Sequence, residues 1–227
     1  MKTDSTADLT RFLGQFITEE KKAGIEKVLS QRTRFITVVL EDIFQPHNAS
    51  AVIRSCDCFG IQDLHVIDNR NEYTLNPNVA QGAGKWVTIR RYNQASLSNT
   101  VQCLNHLRQA GYQLCATSPH NTDTDLEALD LDKKVALMFG TELTGLSEEA
   151  LGQAHRVVKI PMYGFTESYN LSVSVALCLQ EMVKKLHRST ANWQLSDQEK
   201  AAIRLTWYRK TVKNADILER NYRAHEN

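Results

Sequence analysis

Three polar placements in this 227-residue chain are candidates for chemistry. Arg54 stands inside an otherwise apolar helical run that carries Ala51, Val52, Ile53 and Cys56, shortly after Pro46-His47-Asn48. Glu142 and Gly145 follow directly on an apolar strand ending at Phe139-Gly140. The third placement is the loop Ile160-Pro-Met-Tyr-Gly-Phe-Thr-Glu-Ser-Tyr-Asn170, which runs into Leu171-Ser-Val-Ser-Val-Ala176. Ligands gather at strand C-terminal ends in open α/β sheets, and a helix entered through Ser168, Tyr169 and Asn170 offers unpaired N–H groups and a positive dipole end. Each placement also has an ordinary alternative: a surface arginine, a plain turn at Thr141, and Asn170 as a simple N-cap.

Several other chemistries lose their support. Gly82-Ala-Gly-Lys85 lacks the upstream glycine and the Ser/Thr of a phosphate loop. No G-x-G-x-x-G follows the first strand, and no G-x-S-x-G occurs. The five cysteines include only a C-x-C at Cys56 and Cys58, with no zinc spacing, and are expected to be reduced thiols of a cytoplasmic protein. No metal is expected. No apolar run reaches the ~20 residues of a membrane span, and the N-terminus is too polar for a signal peptide.

The elements that must position these residues follow from periodicity. Apolar runs at Thr33–Leu40, Asp63–Asp68, Trp86–Ile89, Gln113–Thr117, Lys134–Gly140 and Arg156–Ile160 predict strands. Helices are predicted from a cap at Asn48 or Ser50 to Gly60, over Ser96–Ala110, and from Leu171 to Leu186. In the last, Leu171, Val175, Cys178, Leu179, Met182 and Leu186 share one face. Strand–helix alternation with continuous apolar strands implies a mostly parallel α/β sheet covered on both faces. The expected organisation is a helical extension over 1–34, with Leu9, Phe12, Leu13, Phe16 and Ile17 on one face and Ile25, Val28 and Leu29 on another. A main domain over 35–190 and a helical extension over 191–227 follow.

Charge is divided unevenly although the net value is +1. Residues 184–227 hold ten Lys/Arg against five Asp/Glu, whereas 121–150 hold two against eight. A polyanion partner at the C-terminal segment and a solvated helix face account for this equally well.

Taken together, Pro46-His-Asn-Ala-Ser-Ala-Val-Ile-Arg54, Phe139-Gly-Thr-Glu-Leu-Thr-Gly145 and Ile160-Pro-Met with Ser168-Tyr-Asn-Leu-Ser-Val-Ser-Val-Ala176 resemble the three ordered motifs of the SPOUT RNA 2′-O-methyltransferases, nearest to the TrmH tRNA guanosine group. The likeness runs from about residue 30 to 190. It implies a C-terminal deep trefoil knot, an exception to the rule against threaded chains. It also implies S-adenosylmethionine as cofactor and a homodimer with the active site across its interface. By the resemblance, Thr117, Gly140, Ile160, Met162 and Tyr169 surround the cofactor, with Tyr169 where the family usually has leucine. Arg54 is the implied catalytic residue, helped by Asn48, with Glu142, Ser168 and Asn170 arranging the site.

The family's arginine is proposed as the base, but a guanidinium of pKa above about 12 is hard to deprotonate. A cation that stabilises the developing alkoxide fits better, the proton leaving to phosphate, water or His47. RNA is expected to meet Arg11, Lys21, Lys22, Lys184, Lys185, Arg188, Arg204, Arg209 and Lys210 through phosphate contacts. Trp193, Trp207 and Tyr208 either stack on unpaired bases or pack in the core. With fewer than fifty residues ahead of the first motif, a tRNA substrate is favoured, and the implied target is the D-loop guanosine at position 18. A ribosomal-RNA or wobble-nucleotide enzyme of the same fold, and a non-catalytic RNA-binding relative, are the rivals.

Overall fold

The computed structural model describes residues 5–43, 45–71, 82–95, 98–119 and 124–226. Ala80 and Gln81 of the small-residue loop, and Ser96 and Leu97 of the predicted helix, lie outside them.

Seven strands are described: β1 (Ile36–Glu41), β2 (Asp63–Ile67), β3 (Thr88–Tyr92), β4 (Tyr112–Thr117), β5 (Thr124–Asp125), β6 (Lys134–Phe139) and β7 (Arg156–Lys159). They form one sheet in the order β3-β2-β1-β6-β4-β7-β5, with every neighbouring pair parallel. The helices are α1 (Ser5–Gly14), α2 (Glu19–Leu29), α3 (Pro46–Cys58), α4 (Asn99–Gln109), α5 (Glu148–Gln153), α6 (Leu171–Arg188), α7 (Asp197–Thr211) and α8 (Ala215–Glu226).

The two-residue period of a strand divides the core. Ile36, Val38 and Leu40 pack with α3 and α6, while Val39 packs with Cys103, Leu104 and Leu107 of α4 and Ala150 of α5. Cover on both faces is why the strands read as continuous apolar runs. From β1 the chain steps outward to β2 and β3, whereas β4, β7 and β5 lie beyond β6. The C-terminal ends of β1 and β6 therefore border a divide in the strand order, where open sheets leave a crevice. On α6, the six apolar residues predicted to face inward are all buried.

Three local readings differ. Helix α3 starts at Pro46, two residues before Asn48, and Gln45 makes no side-chain cap. Proline has a preset φ and no N–H to satisfy, so it opens a helix without a capping side chain. That frees Asn48 for another use. Strand β3 lies two residues later than predicted at its start, because Trp86 and Val87 complete the turn after the 3-10 segment Ala83–Lys85. As an edge strand it carries Arg90 and Arg91 exposed, which hid its extent. Helix α5 and strand β5 are too short to show a period.

Contacts divide the chain into residues from Thr33 to Trp193 and a second unit made of residues up to Arg32 together with Gln194 onward. Within the second unit, α1 packs on α7 and α8 from the other end of the chain. Arg204 forks onto the Glu26 carboxylate, and the Arg32 guanidinium lies 5.3 Å from the Trp207 ring centre. Trp207 and Tyr208 are buried, so those two aromatics serve packing. Phe16 and Val28, which share the predicted apolar faces, are exposed.

His65 of β2 is buried, with Nδ1 3.0 Å from the Tyr92 hydroxyl. Burial, then the charges of Arg90 and His106, lower its pKa from 6.5 to about 3. The unfolded chain thus binds a proton between pH 6.5 and 3 that the folded chain refuses, so stability falls as pH falls through that window. Urea midpoints measured from pH 7.5 to 4.5 should drop, and His65→Gln should flatten the drop.

Candidate active site

The three motifs meet through their polar side chains. Asn48 in the first turn of α3 is 4% exposed, and its Nδ2 donates to Glu142 Oε1 at 3.1 Å and to Gln45 Oε1 at 3.3 Å. Asn170, the N-cap of α6, donates from Nδ2 to Asn48 Oδ1 at 3.1 Å and to Glu142 Oε1 at 2.6 Å. The backbone N–H of Leu171 donates to the same Glu142 oxygen at 3.1 Å. Meanwhile Asn170 Oδ1 accepts from the Ser172 N–H at 3.0 Å and its hydroxyl at 2.6 Å. The carboxylate thus sits at the N-terminus of an 18-residue helix, where orphan N–H groups and the dipole favour negative charge.

The loop carrying Glu142 is tight by construction. Thr141 and Gly145 exchange two backbone hydrogen bonds of 3.0 Å, and Gly145 has φ +68°. A Cβ on Gly140 would lie 2.0 Å from the Gly145 carbonyl oxygen, so no side chain fits there. Beyond the loop, the Ser147 N–H and hydroxyl donate to the Glu41 carboxylate, both at 2.8 Å, and Thr100 donates to it at 2.7 Å. Glu41 is buried at the end of β1 and ties that strand to the starts of α4 and α5. It stands one residue beyond the apolar run predicted for this strand, and an acid closing such a run is the signal the sequence offers.

Beside the Glu142 loop opens a cavity of about 450 Å³, a size suited to a cofactor or a drug-sized ligand. Thr117, Gly140, Ile160, Met162 and Tyr169 all line it, as do Glu142 and Ser168. Thr117 Oγ1 is held by the Met138 carbonyl at 2.8 Å. Ser118, Pro119, Leu146 and Leu151 also line it and carried no motif signal.

Arg54 stands apart. It is exposed and makes no hydrogen bond or ion pair among the described residues, and it does not line the cavity. Six residues beyond Asn48 on α3, it lies about 9 Å further along and about 120° around the helix. His47 shares its exposed side.

Most of the predicted phosphate contacts are engaged internally. Arg11 pairs with Asp8, Lys22 with Glu19, Arg204 with Glu26 and Arg209 with Glu219. Lys185 donates to the Glu127 and Leu129 carbonyls at 2.9 and 2.7 Å. Lys21 is exposed, and burial lowers the pKa of Lys210. Lys184 and Arg188, exposed on α6, make no pair among the described residues. Trp193 stacks on His187 with ring centres 4.4 Å apart.

A family model described as the SpoU rRNA Methylase family matches residues 35–180. The chain belongs to that family. Among individual SpoU relatives, the tRNA (guanosine(18)-2′-O)-methyltransferase of Borreliella burgdorferi is 47% identical over 91% of this chain and 93% of its own. The enzyme of the same description from Thermus thermophilus is 34% identical over 72% and 82%. The crystal structure of the A. aeolicus TrmH/SpoU tRNA modifying enzyme superposes with a TM-score of 0.76 at 28% identity, covering 86% of this chain and 98% of that one. An AdoMet-bound rRNA methyltransferase from Sinorhizobium meliloti superposes with a TM-score of 0.59 at 26% identity, covering 69% and 58%. Among the described residues no helix is long and apolar enough to cross a membrane, and no cluster of His, Cys, Asp or Glu could hold a metal ion.

Proposed function

We propose that this protein methylates the ribose 2′-hydroxyl of the D-loop guanosine at tRNA position 18, using S-adenosylmethionine. The carrying observation is that Asn48, Glu142 and Asn170, one from each motif, close on one another beside a cavity of cofactor size. The 47% identity to an enzyme of that activity across nearly the whole chain supports the substrate. The residues fit the cofactor: backbone of the Gly140–Gly145 loop, apolar Ile160, Met162 and Leu146, and polar Thr117 and Ser168 line one recess. When bound, the cofactor supplies an electrophilic methyl on a sulfonium, so no metal or covalent enzyme intermediate is needed. The protein's own work is to align the ribose oxygen in line and to lower the cost of alkoxide charge.

Arg54 supplies that stabilising charge. Its place outside the cavity of its own chain supports a homodimer in which it reaches the partner's cavity. Helix α6, which packs against α3, exposes Val173 and Leu177 one turn apart, an apolar strip suited to such an interface. The trefoil knot belongs to the same proposal: β4 lies between β6 and β7, although it precedes both in sequence. The loop after β7 would be its last thread. Lys184 and Arg188 are the unpaired cations we assign to RNA phosphates, with Arg11, Lys185, Arg204, Arg209 and Lys210 able to join only by leaving internal partners or shelter.

The test is a single assay. Purified protein, S-adenosylmethionine and unmodified tRNA are incubated, and any 2′-O-methylnucleoside is located by mass spectrometry. Methylation of guanosine 18 is expected. Methyl elsewhere, or only on ribosomal RNA, would reassign the substrate, and none on any RNA would leave a binding protein.

A further inference from the structure

Glu142 uses its two carboxylate oxygens unequally. Oε1 accepts three hydrogen bonds, from Asn48 Nδ2, Asn170 Nδ2 and the Leu171 N–H. Oε2 accepts none among the described residues, although Glu142 is exposed and lines the cavity. Each carboxylate oxygen carries about two acceptor sites, and those of Oε2 are left unused by the frame. The three donors come from two separate segments, α3 and the start of α6, which hold Oε1 in place and leave Oε2 as the oxygen outside the frame.

Building on the methyltransferase reading above, we propose that Glu142 Oε2 is the acceptor for the target 2′-hydroxyl: it holds that group by a hydrogen bond and receives its proton. In the step, the ribose O–H bond breaks and its electron pair stays on oxygen to bond the methyl carbon, as the donor's methyl–sulfur bond breaks and leaves its pair on sulfur. The proton forms a new O–H bond at Oε2 and passes afterwards to water. The sulfonium charge and the carboxylate charge disappear together, so the site ends neutral. Other groups suit the task less well. Arg54 can only donate. His47, on the same exposed side of α3 as Arg54, makes no side-chain hydrogen bond among the described residues and so is not held in place beforehand. An acceptor already held in place needs no reorganisation when the hydroxyl arrives.

Binding tests this without turnover. Dissociation constants are measured for tRNA carrying guanosine, 2′-deoxyguanosine or 2′-fluoro-2′-deoxyguanosine at the target position, without methyl donor. The unmodified RNA should bind about tenfold tighter than either analogue, since neither can donate a hydrogen bond there. Glu142→Gln then separates frame from acceptor. All three groups around Oε1 are donors, so the glutamine carbonyl must take that place and its NH2 the place of Oε2. Melting temperature and cofactor affinity should stay close to wild type, the preference for the 2′-hydroxyl should vanish, and turnover should fall about 10²-fold or more. Equal wild-type affinities for all three RNAs overturn the assignment, as does a Glu142→Gln enzyme that keeps both preference and turnover. In either case wild-type methylation of the RNA stands. Absence of wild-type methylation on any RNA instead removes the methyltransferase reading itself.

Discussion

Arg54→Ala is expected to lower turnover about 10²–10³-fold while cofactor affinity stays within about twofold, the range found when one preorganised donor to a developing oxyanion is removed. The second half of the expectation follows from position: Arg54 does not line the cavity of its own chain and anchors nothing there. Single-turnover methylation and equilibrium binding of S-adenosylhomocysteine measure the two halves separately. Turnover close to wild type would remove Arg54 from the mechanism. A large loss of cofactor affinity would instead make it a binding residue. Because the side chain is exposed and unpaired among the described residues, the variant should fold normally, and its melting temperature serves as the control.

Gly140→Ala should be as damaging by a different route. The added methyl would lie 2.0 Å from the Gly145 carbonyl oxygen, 2.1 Å from its carbon and 2.3 Å from the Leu146 nitrogen, all backbone atoms. Relief requires opening the loop that Thr141 and Gly145 close, at a cost of about 1–3 kcal/mol or more. That movement also carries Glu142 away from Asn48 and Asn170. Cofactor affinity should fall by at least about 10²-fold, a loss of about 2.7 kcal/mol, with a lower melting temperature. Isothermal titration and thermal unfolding check both; normal affinity would mean that the loop has an alternative conformation open to it.

The two variants together decide where the site is assembled. If Arg54 acts on the partner's cavity, mixing Arg54→Ala and Gly140→Ala protomers creates one intact site in each mixed dimer. Random exchange of equal amounts then restores about a quarter of wild-type activity, since half the dimers are mixed and one of their two sites is whole. If Arg54 served its own chain, no combination would be active.

The sequence by itself determined most of the longer elements and their apolar faces. The 3.6-residue spacing on α6 and the apolar runs of β1, β4 and β6 are local signals of burial, and the described structure buries their apolar residues. The resemblance carried by its ordered motifs also pointed to Thr117, Gly140, Ile160, Met162 and Tyr169, which line the cavity, but not to Ser118, Pro119, Leu146 or Leu151. Only tertiary structure decided what the polar residues do. Asn48 was a candidate cap by local rules, yet Pro46 opens the helix and Asn48 instead meets Glu142, 94 residues away. Glu41 falls just outside the predicted strand run and is a buried anchor for Ser147, 106 residues on. The cationic C-terminal count concealed that Arg204 and Arg209 are paired, one with Glu26 far up the chain. Periodicity reports which face of an element avoids water. Which donor meets which acceptor depends on how the parallel crossovers bring strand ends together, and no local pattern encodes that.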